Sequence, residues 1–399
     1  MHVREMRERE PYEAVLRESL TAGLTDYSGQ PQRVTLLGAR DEALDGQRWW
    51  YQPLFSAYHA DRPTRAVRAW LKDSLRYTEV RWRIAPQLAV GTLAGARLGL
   101  RALGQPGFSI SPGISAPEAS VLLPGNQRVR LLCFATRRTR SFIKAGFSRE
   151  GLTREIAARS ARQGVAPAPF APILDHGPDW IEEELLSGVV LARLPPWRRR
   201  QPALGRLLTA LDAWSRSEQR PCTGLERAEQ LVSLASQLEA AVRERYAFEG
   251  LPERALARLA EEASALGSLE LTRTHGDLQP GNVLVRPSGE MTLLDWEHSA
   301  ERVWFYDRLV LGLRSRAPGW RSAAPAFLSG ASVFPFDTLP REAAWRRRAL
   351  ALFQLEEAVW YLREALSGRY LRAPQGLIHC ARGLAGEYRG AAYRGAGAG

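Results

Sequence analysis

The chain has 399 residues, is 45% hydrophobic and carries a formal net charge of +12. This length can bury two or three hydrophobic cores, and 34 glycines and 25 prolines are too few for a collagen-like or wholly disordered chain. Three cysteines, an odd and low number, exclude a disulfide-stapled secreted scaffold and predict a cytoplasmic protein. They form no CxxC or CxxH pair, which argues against a zinc site.

The positive charge by itself suggests an acidic partner such as nucleic acid or an anionic membrane surface. Almost all of it is arginine, however, since Lys72 and Lys144 are the only lysines in the sequence. Arginine enrichment along the whole chain is typical of a composition bias rather than of a dedicated binding surface. We therefore expect no nucleic-acid partner.

Residues 1–110 are predicted to form a helical, aromatic-rich N-terminal extension. Apolar residues at helical spacing predict helices over Tyr12–Leu24 and Arg65–Val80. The aromatic cluster Trp49–Phe55 is expected to be core or a domain interface, with a ligand cage as the other possibility. The apolar stretch Ile84–Gly104 is interrupted by charged residues and is too weak for a membrane span. A buried or amphipathic helix is expected there, which leaves peripheral membrane contact open.

Short β-rich runs separated by turn-like segments predict an antiparallel meander after residue 110. The runs are Ser120–Leu123, Val129–Ala135 and Arg140–Ala145. A helix over Leu152–Gln163 and two strands, Pro172–Asp175 and Trp180–Leu186, are expected next. Helices dominate from Leu204 onward, interrupted by one strand–loop–strand over 271–295. We therefore divide the chain into residues 1–110, 111–186 and 187–399 and predict an α+β fold.

The segment that indicates chemistry is TRTHGDLQPGNVLVRPSGEMTLLDW, residues 272–296. Asp277 lies in its loop, where a carboxylate can accept the proton of an attacking hydroxyl. Asn282 follows five residues later, and the predicted hairpin returns Asp295 to the same region. Their oxygens are ligands of the kind that Mg²⁺ prefers. This combination is typical of phosphoryl transfer, in which the protein positions the reactants and neutralises charge.

The motif HGDxxPGN, followed by a hydrophobic run and DW, resembles the catalytic loop and metal-binding strand of the aminoglycoside phosphotransferase and choline kinase-like superfamily. The resemblance implies a protein-kinase-like two-lobe fold, with a small antiparallel-sheet N-lobe and hinge in residues 111–186 and a helical C-lobe in 187–399. It also implies a kinase that uses ATP and Mg²⁺ to phosphorylate a hydroxyl of a small molecule, such as a sugar, an aminoglycoside-like compound or an amino alcohol. Asp277 would be the catalytic base, and Asn282 and Asp295 the metal ligands.

The resemblance extends upstream in the order that the family requires. Lys144 ends a predicted strand and resembles the phosphate-contacting lysine, with which Glu155 of the next helix would pair. The sequence WIEEELLSG resembles the hinge, where backbone groups of Glu184 and Leu186 would meet the adenine. The meander lacks a GxGxxG motif, so the residues that cover the phosphates are not predicted.

Three further residues are expected to support the site. His275 would stabilise the loop, Glu297 would assist the metal site or the acceptor, and Asp307 would cap a helix and brace the catalytic loop. Two alternatives stay open: a pseudokinase or scaffold that binds ATP and a partner, and a protein kinase that acts on a polypeptide. The HGD and DWE sequences resemble the small-molecule branch. The sequence does not determine the oligomeric state.

Overall fold

The computed structural model describes most of the chain as two compact units. The described residues are 3–38, 41, 45–52, 56–76, 106–160, 169–194, 201–216, 219–317, 323–331 and 333–395. The first unit comprises Met1–Leu207 and Pro280–Glu297, and the second comprises Leu208–Gln279 and His298–Gly399. The predicted helix over Ile84–Gly104 lies outside the described residues.

An antiparallel sheet of nine strands lies in the first unit. The strands are β1 (Arg33–Leu37), β2 (Gln47–Gln52), β3 (Ala57–Ala60), β4 (Gly107–Ser111), β5 (Ser120–Pro124), β6 (Arg128–Cys133), β7 (Arg138–Ile143), β8 (Ile173–His176) and β9 (Trp180–Glu184). Their spatial order is β1-β4-β2-β3-β5-β6-β7-β9-β8. The predicted meander is thus confirmed as β5, β6 and β7, and the two later strands as β8 and β9.

The prediction that residues 1–110 form a helical extension is wrong. The segment does contain helices α1 (Val3–Arg9), α2 (Tyr12–Ser28) and α3 (Arg65–Arg76). It also contributes β1 to β4, and β3 pairs with β5, so these strands belong to the same sheet as the meander. Both Trp49 and its neighbour Trp50 are fully buried. Burial on both faces removes the polar–apolar alternation by which a strand is recognised in a sequence.

The described part of the aromatic cluster belongs to the hydrophobic core, which was the first of the two interpretations of this cluster. Trp49 lies opposite Phe108 in the β2–β4 pairing, and their rings stack with centroids 6.1 Å apart. The remaining members of the cluster at positions 53–55 lie outside the described residues. Helix α2 covers the same core with Leu16, Leu20 and Leu24, which recur every four residues and therefore share one helix face.

Side chains of β7 alternate between two packing environments. Phe142 belongs to the core beneath α2, whereas the adjacent Ile143 packs with Leu152 of helix α4 (Glu150–Ser160). This alternation follows from the two-residue period of a strand. One face of the β6–β7 region therefore meets α2 and the other meets α4.

The predicted hairpin is confirmed in the first unit. Its strands are β13 (Val283–Val285) and β14 (Met291–Leu293), which pair with Val283 opposite Leu293. A short strand β10 (Val189–Val190) adds to β13, which gives the order β10-β13-β14. A single turn of 3₁₀ helix, Pro280–Asn282, leads into β13.

Helices dominate after residue 200, as predicted. They are α5 (Gln201–Ser215), α6 (Gly224–Arg245), α7 (Glu253–Ser264), α8 (Tyr306–Leu313), α9 (Ala324–Leu328), α10 (Ala343–Leu366) and α11 (Gln375–Gly395). A three-stranded sheet of β11 (Arg220–Thr223), β12 (Ser268–Thr274) and β15 (Ala300–Val303) lies in the second unit in the order β11-β12-β15. The predicted α+β class is confirmed. Among the described residues, none of the helices has the length and apolar character needed to cross a membrane.

Candidate active site

The loop His275–Asp277 follows β12 and is held by a buried carboxylate of the second unit. Asp307 accepts hydrogen bonds from the backbone N–H groups of His275 at 2.7 Å and Gly276 at 2.9 Å. Burial raises the pKa of Asp307, and the nearby His275 and the two backbone donors offset this only in part. The expected helix cap is absent, because the N-cap of α8 is Phe305 and no side chain caps this helix. Asp307 thus braces the loop without capping α8.

The backbone of this loop requires glycine at position 276. Gly276 has φ +84°, in the left-handed region that favours glycine. A Cβ atom there would lie 2.1 Å from the backbone carbonyl oxygen of His298. His275 is fully buried, and its Nδ1 accepts a hydrogen bond from the backbone N–H of Asp277 at 3.2 Å. These contacts hold the loop in one conformation and position Asp277.

A buried arginine that the sequence analysis missed contacts the predicted catalytic base. Arg316 donates from Nε to Oδ1 of Asp277 at 2.8 Å and from Nη2 to the carbonyl oxygen of Gly276 at 3.0 Å. Gln279 donates to the other carboxylate oxygen of Asp277 at 2.9 Å. The carboxylate is therefore oriented from both sides. No motif marks Arg316 in a sequence so rich in arginine.

The charge of Arg316 is stabilised although the residue is buried. Its guanidinium pairs with Glu357 and lies 3.8 Å from the ring centroid of Trp360. Burial by itself lowers the pKa of Arg316, but Glu357, Tyr306 and Asp277 outweigh it, and the net result is a pKa well above the usual range. Arg316 is thus a permanent cation beside Asp277.

The two predicted metal ligands lie at one end of the hairpin in the first unit. The backbone N–H of Leu294 donates to the carbonyl oxygen of Asn282 at 2.9 Å, and Asp295 follows with φ +60°. The described residues contain no group of three or more His, Cys, Asp and Glu side chains that could hold a metal ion. An amide and a carboxylate nevertheless fit Mg²⁺, which is commonly held by one or two protein groups together with substrate phosphates.

Two arginines of β6 bind the acidic residues of this region. Arg128 contacts Glu155 at 2.6 Å and Glu297 at 3.3 Å, and Arg130 pairs with Asp295. Burial by itself raises the pKa of Glu155, but Arg128 and Arg159 outweigh it and lower the pKa to about 2. Neither Arg128 nor Arg130 was singled out in the sequence.

The predicted ion pair between Lys144 and Glu155 is wrong. The ammonium group of Lys144 instead contacts Glu10 at 2.5 Å, and both side chains are almost completely buried, with 1% and 0% exposed. Burial lowers the pKa of Lys144 to about 8, although Glu10 acts in the opposite direction. The family-like order of strand lysine and helix glutamate is present in the sequence, but the two side chains have other partners.

The strand register explains this difference. Arg128 lies opposite Ile143, and Arg130 lies opposite Ser141, in the β6–β7 pairing. Directly opposed residues share a face of a sheet, so both arginines lie on the face that meets α4. Lys144 follows Ile143 and therefore continues the opposite face, where its ammonium group contacts Glu10.

The residues predicted as hinge and metal ligand line one cavity in the first unit. The cavity has a volume of about 1020 Å³, and its lining includes Glu184, Leu186, Arg130, Ser141 and Asp295. Pockets for small ligands are typically about 300–1,000 Å³. The size suits a nucleotide, and the lining combines apolar hinge-side residues with charged groups at Arg130 and Asp295.

A family model matches the middle of the chain. Residues 152–345, just under half of the chain, match the family described as the phosphotransferase enzyme family. This match confirms the predicted resemblance to the aminoglycoside phosphotransferase and choline kinase-like superfamily. It also confirms the predicted enzyme class at the level of a phosphotransferase. No curated protein matches the chain.

Three solved structures illustrate what the chain is similar to. An aminoglycoside phosphotransferase from Streptomyces rimosus is 17% identical, with 60% of this chain and 92% of that chain covered and a TM-score of 0.39. A choline kinase from Streptococcus pneumoniae is 15% identical, with 68% and 91% covered and a TM-score of 0.40. A glucosamine kinase is 16% identical, with 65% and 77% covered and a TM-score of 0.36. At these identities and TM-scores the resemblance rests on the family match rather than on the solved structures.

Proposed function

We propose that the protein is a kinase that uses ATP and Mg²⁺ to phosphorylate a hydroxyl group of a small molecule. The observation that carries the proposal is the cavity of the first unit, which gathers Glu184 and Leu186 with Asp295. A nucleotide in this cavity would place its adenine against backbone groups of the hinge. Its phosphates would point toward Arg130 and Asp295.

In the proposed reaction the acceptor oxygen forms a bond to the γ-phosphorus, and the bond from that phosphorus to the β–γ bridging oxygen breaks. Asp277 takes the hydroxyl proton. Arg316 and Gln279 hold the two carboxylate oxygens of Asp277, so that the base is oriented before the acceptor arrives. Asn282 and Asp295 would hold Mg²⁺, which neutralises phosphate charge when bound.

The acceptor is proposed only as a class. A sugar, an aminoglycoside-like compound or an amino alcohol would each offer a hydroxyl group to Asp277. This breadth rests on the family match over residues 152–345 and on the catalytic-loop motif. The donor is proposed to be ATP because the hinge-like sequence and the cavity agree in position.

The experiment that tests this function is transfer from γ-labelled ATP into a small-molecule extract, with wild type beside Asp277→Asn. We expect a phosphorylated metabolite, resolved by mass, with the wild type alone. Label found only in protein would favour a protein kinase. Bound ATP without any transfer would contradict the proposal and favour a pseudokinase.

A further inference from the structure

We propose that Arg130, supported by Arg128, supplies the positive charge to the nucleotide phosphates in place of Lys144. This inference rests on the proposed function, because it assigns the phosphate-binding group of the same cavity. It concerns a residue of β6, whereas the sequence motif indicates the end of β7.

The first observation is that Lys144 is engaged away from the cavity. Its ammonium group bonds to Glu10, which also contacts Arg9 at 3.0 Å. Lys144 is absent from the lining of the first-unit cavity. To reach a phosphate it would have to leave a buried carboxylate and cross from one face of the sheet to the other. A buried charge left without its partner is costly, so this movement is opposed.

The second observation is that arginines occupy the positions expected of the lysine. A lysine in the phosphate-binding role would pair with Glu155 and reach the nucleotide phosphates. Here Arg128 binds Glu155 and Arg130 binds Asp295. The two arginines are two residues apart on one strand and share a face. Arg128 thus makes the contact with Glu155 that the resemblance assigns to Lys144, and Arg130 lies beside the proposed metal ligand Asp295.

The two arginines have different surroundings. Arg128 is 6% exposed and contacts two carboxylates, Glu155 and Glu297, which makes it a supporting cation with its charge already balanced. Arg130 pairs with Asp295, is 34% exposed and lines the cavity. Its guanidinium can donate several hydrogen bonds to phosphate oxygens in a planar fork. Arg130 is therefore the cation that a nucleotide can reach.

The test compares ATP with adenosine, which lacks the phosphates. Affinities for both would be measured by titration calorimetry with Mg²⁺ present, for wild type and the variants Arg130→Met and Lys144→Met. We expect Arg130→Met to weaken ATP binding by about 10- to 100-fold, the effect of losing a hydrogen bond to a charged group, while adenosine affinity changes less than about twofold. Lys144→Met should alter ATP affinity by less than about threefold.

The matched control is Arg138→Met on the neighbouring strand β7. Arg138 contacts Glu182 at 2.7 Å and does not belong to the cavity lining, so neither affinity should change. If Lys144→Met does not fold because Glu10 loses its partner, the double variant Lys144→Met/Glu10→Gln removes both buried charges and serves instead.

Loss of ATP affinity in the lysine variants, with Arg130→Met unaffected, would overturn the inference. Equal losses in both would overturn it as well, since the charge would then be shared. A wild type that binds neither ATP nor adenosine would contradict the proposed function itself. The two failures are therefore distinguishable.

Discussion

At the scale of single residues, the site depends on positions whose surroundings admit few replacements. Gly276 and Asp307 shape the loop of the proposed base, and Arg316 and Gln279 orient its carboxylate. Of these, the motif specifies Gly276, and the resemblance pointed to Asp307, whereas Gln279 stands at an unspecified position of the motif. Arg316 lies nearly forty residues downstream, and only folding brings it to Asp277.

Gly276→Ala is expected to reduce turnover strongly and to lower the free energy of unfolding. The added Cβ would meet the His298 carbonyl oxygen at 2.1 Å, and the loop would have to move. The matched control is Gly289→Ala, which has a similar φ of +85° but no atom within 4 Å of its Cβ position. The control should cost only about 1 kcal/mol for the left-handed backbone. Comparable turnover in the two variants would contradict the prediction.

The lowered pKa of Glu155 predicts that the stability of the protein depends on pH. Its pKa of about 2 in the folded protein lies below the ordinary value of 4.5, so the folded state binds fewer protons than the unfolded state between these values. The stabilisation by Glu155 is therefore complete above pH 4.5 and is lost as the pH falls toward 2.

The measurement is the free energy of unfolding in urea from pH 5 to pH 3, for wild type and Glu155→Gln. Wild type should lose up to about 1.4 kcal/mol more per pH unit than the variant, which corresponds to one proton. Parallel curves would show that Glu155 does not carry this titration.

At the scale of elements, the alternation of side chains along a strand determines which of them lie on the same face of the sheet and can meet. β6 and β7 present Arg128, Arg130 and Ile143 to one side, and Phe142 to the other. A shift of one residue would exchange the faces. The sequence places Lys144 at the end of β7, but it does not determine whether the Lys144 side chain lies on the same face of the sheet as Glu155.

Substitutions in helix α2 test whether the N-terminal segment is an integral part of the first unit. Leu20 is fully buried in the core that α2 shares with the sheet, so Leu20→Ala should cost about 2–5 kcal/mol of unfolding free energy. Arg17→Ala, at an exposed position of the same helix, should change it by less than about 0.5 kcal/mol. Chemical denaturation measures both. Equally small changes in the free energy of unfolding would mean that α2 does not contribute to the stability of the first unit.

At the scale of the whole molecule, the chain combines a sheet-rich first unit with a helical second unit. The loop motif of residues 275–282 includes residues of both units, because the first segment of the second unit ends at Gln279 and the first unit resumes at Pro280. Asp277 belongs to the second unit, and Asn282 and Asp295 belong to the first.

Nucleotide binding should stabilise the folded protein. A ligand at about 100 times its Kd adds about 2.7 kcal/mol to the free energy of unfolding, so ATP with Mg²⁺ should raise the denaturation midpoint. Removal of Mg²⁺ with EDTA, or the Asp295→Ala substitution, should cancel most of the shift. A midpoint that ATP and Mg²⁺ leave unchanged would contradict the assignment of the first-unit cavity to a nucleotide.

The sequence by itself determined the α+β class, the meander, the hairpin and the resemblance to a phosphotransferase family, because each is encoded by residues close together in the chain. Periodicity and turn chemistry are local signals, and HGDxxPGN is a contiguous motif.

Only the tertiary structure decided that β2 pairs with β4 and that Arg316 meets Asp277. It also decided that Lys144 pairs with Glu10 and that Glu155 pairs with Arg128. These contacts join residues tens to more than a hundred positions apart. They depend on strand register and on which helix covers which face, and neither is encoded by the spacing of residues within one segment.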